Sequence, residues 1–273
     1  GITRADAQPI LVAIYEACDE PTQALRHRLD AGEDVVAEAE KTLLSEVPDL
    51  QLVRALLARP EWPTSARVAL EAADLLERSG AAREAAALFS RAEVLARVSH
   101  DAELEAHALI GTGRLEAAVA RYPKALEAFR AALALMPEVS ALTIAARAGE
   151  ARAAVLSGDL EAAERAAESG LALGPKDPQQ VAALLYTRAL VDWYRGQLDA
   201  ADQLLEQALA AVREARATGS HAAQREEAAI VTAQGLVAHR RGDLSKAARA
   251  YGEAMRLGEA THDEARVLTA LQN

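Results

Sequence analysis

His100, Glu103 and His107 are the residues in this sequence whose types and spacing most resemble a chemical site. On one helix, at about 100° per residue, offsets of three and seven place all three within a quadrant. Two imidazoles and a carboxylate could hold zinc or another divalent ion. No fourth ligand accompanies them, so they read as a solvated polar face on an outer turn, with no metal site. The other histidines are scattered at 27, 221, 239 and 262. Cys18 is the single cysteine, which excludes an internal disulfide; its apolar neighbours make it a small core residue. Gly111-Thr112-Gly113 is at best half of a dinucleotide fingerprint, because the third glycine and a preceding strand are missing. Gly113 reads instead as a helix-packing residue. There is no P-loop, nucleophile elbow or HExxH, and no base with an orienting partner. The chain reads as a non-enzyme, with no catalytic residue and no cofactor.

Recognition is better served than catalysis. Tyr186, Trp193 and Tyr194 supply three of the nine aromatics in the chain. Offsets of seven and eight bring them onto one helical stripe. Two uses are open: packing between helices, or anchoring a partner, for which tyrosine and tryptophan are favoured types.

The elements that must carry such a stripe are constrained by composition. The chain has 273 residues, 51% hydrophobic but only 3% aromatic, enough for a large core or a repeat array. Alanine and leucine dominate the apolar content, which favours closely packed helices over an aromatic-rich sheet. A net charge of −11 argues against a nucleic-acid surface. No apolar run approaches the roughly 20 residues of a membrane-spanning helix. Four lysines stand against 26 arginines, a bias that points to a bacterial source of high GC content. The expected compartment is the cytoplasm. The first residue is Gly1, and the chain is expected to be a piece of a larger protein.

A repeat runs through most of it. Ala85, Ala125, Ala163, Ala201 and Ala247 recur at spacings of 40, 38, 38 and 46. Five residues before each stand Gly80, Ala120, Gly158, Gly196 and Gly242, and four residues after each come Phe89, Phe129, Ala167, Leu205 and Tyr251. Ala92, Ala132, Gly170, Ala208 and Ala254 follow three further on; Ala73, Gly113, Ala151, Ala189 and Gly235 precede the glycine slot by seven. A helix can end at that slot in a left-handed conformation that glycine enters cheaply. Asp159 and Asp243 directly after it can cap the next helix. The small slots let two antiparallel helices approach closely, with Phe129 or Leu205 filling the gap beside them. Pro137 and Pro175 stop the second helix. The unit is a helix hairpin whose apolar face needs a neighbour to cover it.

These slots resemble the tetratricopeptide repeat, most fully over Ala106 to Pro137, where Gly113, Ala125, Ala132, Phe129 and Pro137 fall on family positions. Ala120 departs from the family's glycine. The repeats are longer than the usual 34 residues or so, the surplus lying between them. In this they are similar to repeats of bacterial regulators of the maltose-activator type and of kinase- or ATPase-linked signalling proteins. The resemblance covers roughly residues 65–273. It implies an all-α, right-handed α-solenoid, with first helices lining a concave groove. Carried over by position, the family's groove register implies a partner-binding set of Arg114, Arg152, Tyr186, Trp193, Tyr194, His239 and Arg240. The lysine–asparagine clamp used by some members for chaperone C-termini is missing.

The expected organisation is an N-terminal helical section over 1–64, as a degenerate cap or the tail of a preceding domain. Five repeats follow over 65–260, then the first helix of a truncated sixth over 261–273. More than two thirds of the chain should be helix. The expected function is non-catalytic protein–protein recognition within a larger bacterial regulatory or signalling protein, binding a peptide or helix in the groove. The alternative is a ligand-sensing domain that takes a small molecule there. No nucleic acid and no membrane span are expected. Self-association is possible through a C-terminal edge left apolar around Leu268 and Leu271.

Overall fold

The computed structural model describes residues 4–18, 20–45, 49–136, 138–217 and 221–260. Among these there are fourteen helices and no strand, and helix accounts for well over two thirds. The expectations for Leu268 and Leu271, and for Pro137 as a helix stop, fall outside the described residues.

The chain divides into two compact units, Gly1–Leu115 and Glu116–Asn273. In the first, α1 (Arg4–Ala17), α2 (Pro21–Asp30), α3 (Val36–Ser45) and α4 (Leu50–Leu57) precede a longer pair, α5 (Ala66–Arg78) and α6 (Ala82–Val98). Leu25, Leu29, Leu43, Leu52 and Leu56 from the short helices share one buried core with Leu70, Leu76 and Phe89 from the long pair. Helix α7 (Ala102–Ala118) crosses the division. The second unit continues with α8 (Tyr122–Leu135), α9 (Ala141–Ser157), α10 (Leu160–Ala172), α11 (Pro178–Tyr194), α12 (Leu198–Ala217), α13 (His221–Arg240) and α14 (Leu244–Ala260). There α9/α10, α11/α12 and α13/α14 pair as hairpins, and each hairpin stacks on the next through α10/α11 and α12/α13.

Local chemistry sets the helix ends. Ser65, Ser140, Asp159 and Asp177 cap their helices by accepting from the backbone N–H groups of Val68, Thr143, Ala162 and Gln179. At the far end of α9, Gly158 sits at φ 86°, and the N–H groups of Gly158 and Asp159 turn back onto the carbonyls of Val155 and Ala154. Ala120 closes the turn after α7 in the same way, with Arg121 N–H on the Glu116 carbonyl, and is held at φ 59°. The geometry of that slot is thus kept even where the side chain resists it, and a left-handed L-residue costs about 1–2 kcal/mol.

The small slots are all buried. Ala85, Ala125, Ala163 and Ala201 are fully inaccessible, as are Ala92, Ala132 and Ala208. The aromatics that follow them, however, do not simply fill their own hairpin. The Phe89 ring seats on Gly111 of α7, and the Phe129 ring on Gly149 of α9, each in the next first helix along. A Cβ on Gly111 would lie 2.5 Å from Phe89 Cζ, and one on Gly149 would lie 2.9 Å from Phe129 Cδ1. Gly113, the residue singled out by the repeat, is buried too, but the ring sits on its neighbour two positions earlier. Of the three rings in this slot, Tyr251 alone packs within its own hairpin, against Gly235.

Two sequence expectations are corrected. Cys18 is exposed just beyond the end of α1 rather than in the core. His100 does not share a helix with Glu103 and His107, because α6 ends before it and α7 begins after it. His100 occupies a left-handed turn at φ 55°, so the helical quadrant drawn through the three residues does not form.

Two outcomes test this packing. Ala120→Gly should relieve the turn and raise stability by about 0.5–1 kcal/mol in a urea melt, the left-handed penalty less glycine's unfolded-state entropy; a decrease would show that the alanine is not strained. Gly149→Ala should cost about 1–3 kcal/mol, the usual penalty for overpacking, and a neutral result would mean the Phe129 ring is free to move aside.

Candidate functional site

The residues expected to recognise a partner do not form one set. Arg114 belongs to the first unit, where two carboxylates consume its charge. Its Nε donates to Glu77 Oε1 at 3.0 Å and its Nη2 to Asp74 Oδ1 at 2.8 Å, while the guanidinium lies 5.7 Å from the centre of the Phe89 ring. Burial lowers the Arg114 pKa, but Glu77 and Asp74 outweigh it and raise the value above the ordinary one. His107 Nε2 stands 3.1 Å from the other Asp74 oxygen. Burial pushes the Asp74 carboxyl up, yet the hydrogen bond from His107 and the charge of Arg114 hold it below the usual carboxylate range. Half of the histidine pair first considered for a metal is therefore a hydrogen-bond partner of Asp74. Among the described residues no cluster of metal-ligating side chains occurs.

The other six residues lie on first helices of the second unit: Arg152 on α9, Tyr186, Trp193 and Tyr194 on α11, and His239 and Arg240 on α13. Arg152, Tyr194, His239 and Arg240 are exposed; Tyr186 and Trp193 are half-buried. Trp193 and Tyr194 meet edge to face, with ring centres 4.8 Å apart. Arg240 reaches across from α13. Its Nη1 donates to the Trp193 carbonyl at 2.8 Å, and its guanidinium lies 5.5 Å from the centre of the Trp193 ring. The cation thus serves both the indole face and the negative C-terminal end of α11.

Both uses open for the aromatic stripe are realised, by different residues. Tyr186 and Trp193 lean on the core formed by Ala182, Ala189, Leu205 and Ile230. Tyr194, 53% exposed, faces water. The Trp193 Nε1–H is buried without an acceptor among the described residues. Leaving such a donor unpaired costs about 1–3 kcal/mol, so it is a point where an added acceptor would gain.

Charge is distributed unevenly around this face. Second helices and the first helices that follow them are joined by arginine forks. Arg130 binds Glu150 at 3.0 Å, Arg188 binds Glu164 at 2.8 Å, and Arg213 and Arg216 close on Glu227 at 2.8 and 2.7 Å. Glu227 is 1% exposed, a buried charge made tolerable by two partners. Arg241 likewise donates to Asp202 at 2.6 Å, and Lys246 lies 3.2 Å from the same carboxylate. Sequence reasoning missed this network, because its partners lie 11 to 44 positions apart. Arg152 and Arg240, by contrast, make no ion pair among the described residues.

No family model and no curated protein matches the chain. Solved structures do. It is similar to a Rap protein complexed with Competence and Sporulation Factor, with TM-score 0.70 and 12% identity over 97% of this chain and 78% of that one. It is similar to the structure of the Cut9–Hcn1 hetero-tetramer of the APC/C, with TM-score 0.62 and 18% identity over 98% of this chain but 46% of the other. A thermophilic tetratricopeptide-repeat protein of Thermus thermophilus aligns with TM-score 0.57 and 21% identity over 77% of this chain and all of that one. The fold is that of the tetratricopeptide-repeat proteins: all-α, built as a solenoid of helix hairpins.

The Asp74 cluster has a pH signature. Its folded pKa lies below the unfolded one, so its contribution is present in full above about pH 4 and is lost as pH falls through the folded value. Asp74→Asn should be less stable than the parent at pH 7, by about 1–3 kcal/mol. The gap in urea midpoints should close as pH falls below about 4 and through the lowered folded value. A gap that stays constant would show that the carboxylate charge contributes nothing.

Proposed function

We propose that this chain is a non-catalytic protein-recognition module of a larger bacterial regulatory or signalling protein. Its partner is a peptide or helix bearing a carboxylate, taken on the first-helix face of the second unit. The recognising residues are Arg152, Tyr186, Trp193, Tyr194, His239 and Arg240. Arg114 is left out, its charge being spent on Asp74 and Glu77.

The observation that carries this reading is the cluster at the end of α11. An exposed tyrosine and an arginine that makes no ion pair among the described residues both contact a tryptophan whose buried N–H has no acceptor among them. Tyrosine, tryptophan and arginine are the side chains that most often dominate binding energy. An apolar rim with an uncompensated cation suits a segment with one acid beside an apolar residue. The similar folds add support: one is seen complexed with a factor, another within a hetero-tetramer. Exposure of Arg152 and Arg240 favours an open, charge-reading face over an apolar pocket for a small molecule. The short helices α2 to α4 serve as an N-terminal cap, since they share their core with α5 and α6.

Selection from a displayed peptide library should enrich segments that pair an acidic with an apolar residue. Tyr194→Ala and Arg240→Met should each weaken the selected peptides by roughly 1–4 kcal/mol. Tyr194→Ala should leave the melting temperature nearly unchanged, because the ring is exposed. Peptides that bind both variants as tightly as the parent would remove this face from the reading.

A further inference from the structure

The first unit contains an open cavity of about 470 Å³ between α1, α2 and α4. That lies within the roughly 300–1,000 Å³ of small-molecule sites. It belongs to the first unit, whereas the aromatic face belongs to the second. Two of its side chains, Gln8 and His27, are polar and more than nine-tenths buried. His27 Nδ1 and Gln8 Oε1 are 2.7 Å apart, and Arg26 Nη2 stands 3.0 Å from His27 Nε2. Arginine has only donors, so Nε2 accepts, and Nδ1–H donates to the amide oxygen. Tyr15 stacks on the imidazole with ring centres 5.2 Å apart.

This arrangement leaves a charge unspent. Arg26 makes no ion pair among the described residues; its hydrogen bond is to the His27 imidazole. Arg54, exposed on the α4 wall, makes none either. Elsewhere in the first unit Arg28, Arg97 and Arg114 each hold a carboxylate, while Arg67, Arg78, Arg83 and Arg91 make no ion pair among the described residues; what distinguishes Arg26 and Arg54 is that they share one cavity. Asp30 is the one acid in the lining, so two guanidinium groups face a single carboxylate in a chain whose net charge is −11. Leu11, Ala55 and Ala58 complete the wall with apolar surface. An isolated positive cavity with an apolar side selects an anion that carries hydrocarbon, and a guanidinium fork matches a carboxylate in two-point geometry.

We infer that this cavity is a binding site for a small organic carboxylate, with its anionic group between Arg26 and Arg54 and its apolar part against Leu11 and Ala55. The site is separate from the partner-binding face and stands or falls independently of it.

Benzoate and inorganic phosphate are the probes, titrated calorimetrically into the full chain. Benzoate should bind, and phosphate should bind at least tenfold more weakly. Arg54→Met and Arg26→Met should each raise the benzoate Kd tenfold or more. Arg83→Met, an exposed position on α6 outside the cavity, should leave it unchanged. Far-UV circular dichroism and melting of the unliganded variants identify any that misfold. Arg54 is exposed, so its variant decides the matter if Arg26→Met does not fold. No binding of benzoate up to about 20 mM, equal binding of phosphate, or an unchanged Kd in Arg54→Met would each overturn the assignment.

Discussion

The spacing between neighbouring hairpins depends on methyl groups missing at Gly111, Gly149 and, beneath Leu184 of the following hairpin, Gly170. Phe89 and Phe129 project from second helices into the next first helix, and they fit only because Gly111 and Gly149 present bare backbone there. Dense packing leaves no room for an added atom at such a contact. The alanines at the crossings inside each hairpin act in the same direction, keeping antiparallel backbones close. Polar links also join successive hairpins, at the Phe129 junction as well as where Leu205 stands in place of the ring.

Those links are made mostly by arginine. A guanidinium can hold a carboxylate with two parallel donors while its stem covers apolar surface, and an ammonium cannot. Arg130, Arg188, Arg213 and Arg216 each join a second helix to the following first helix. Many arginines, Arg67, Arg78, Arg83 and Arg91 among them, make no ion pair among the described residues; four others differ in their surroundings. Arg240 lies across Trp193, Arg152 is exposed, and Arg26 and Arg54 line the N-terminal cavity.

Much of the fold was legible because it is written in local terms. Small residues at fixed offsets, a glycine slot before each second helix and capping Ser or Asp residues all act within one or two turns. Their recurrence specifies helix hairpins without knowledge of any distant contact. Even the exception was legible: Ala120 stands where the family has glycine, and the backbone there is left-handed all the same. The sequence also placed Tyr186, Trp193 and Tyr194 on one helix. It erred at His100, because a helical wheel assumes a continuous helix and a turn intervenes, and at Cys18, because an apolar neighbourhood in sequence is not burial in space.

Tertiary structure alone decided how each charge and ring is used. Arg240 meets Trp193 across 47 positions, and Arg114 meets Glu77 across 37. No local rule says that one arginine would be neutralised and the other left to stack on an indole. The cavity beside Gln8 and His27 likewise joins residues 19 apart on two helices with no repeat signature. Periodic, short-range preferences determine what the elements are, and a single sequence displays them. Pairing between elements depends on where the stacked backbones bring side chains together, and that is settled only once the hairpins have packed.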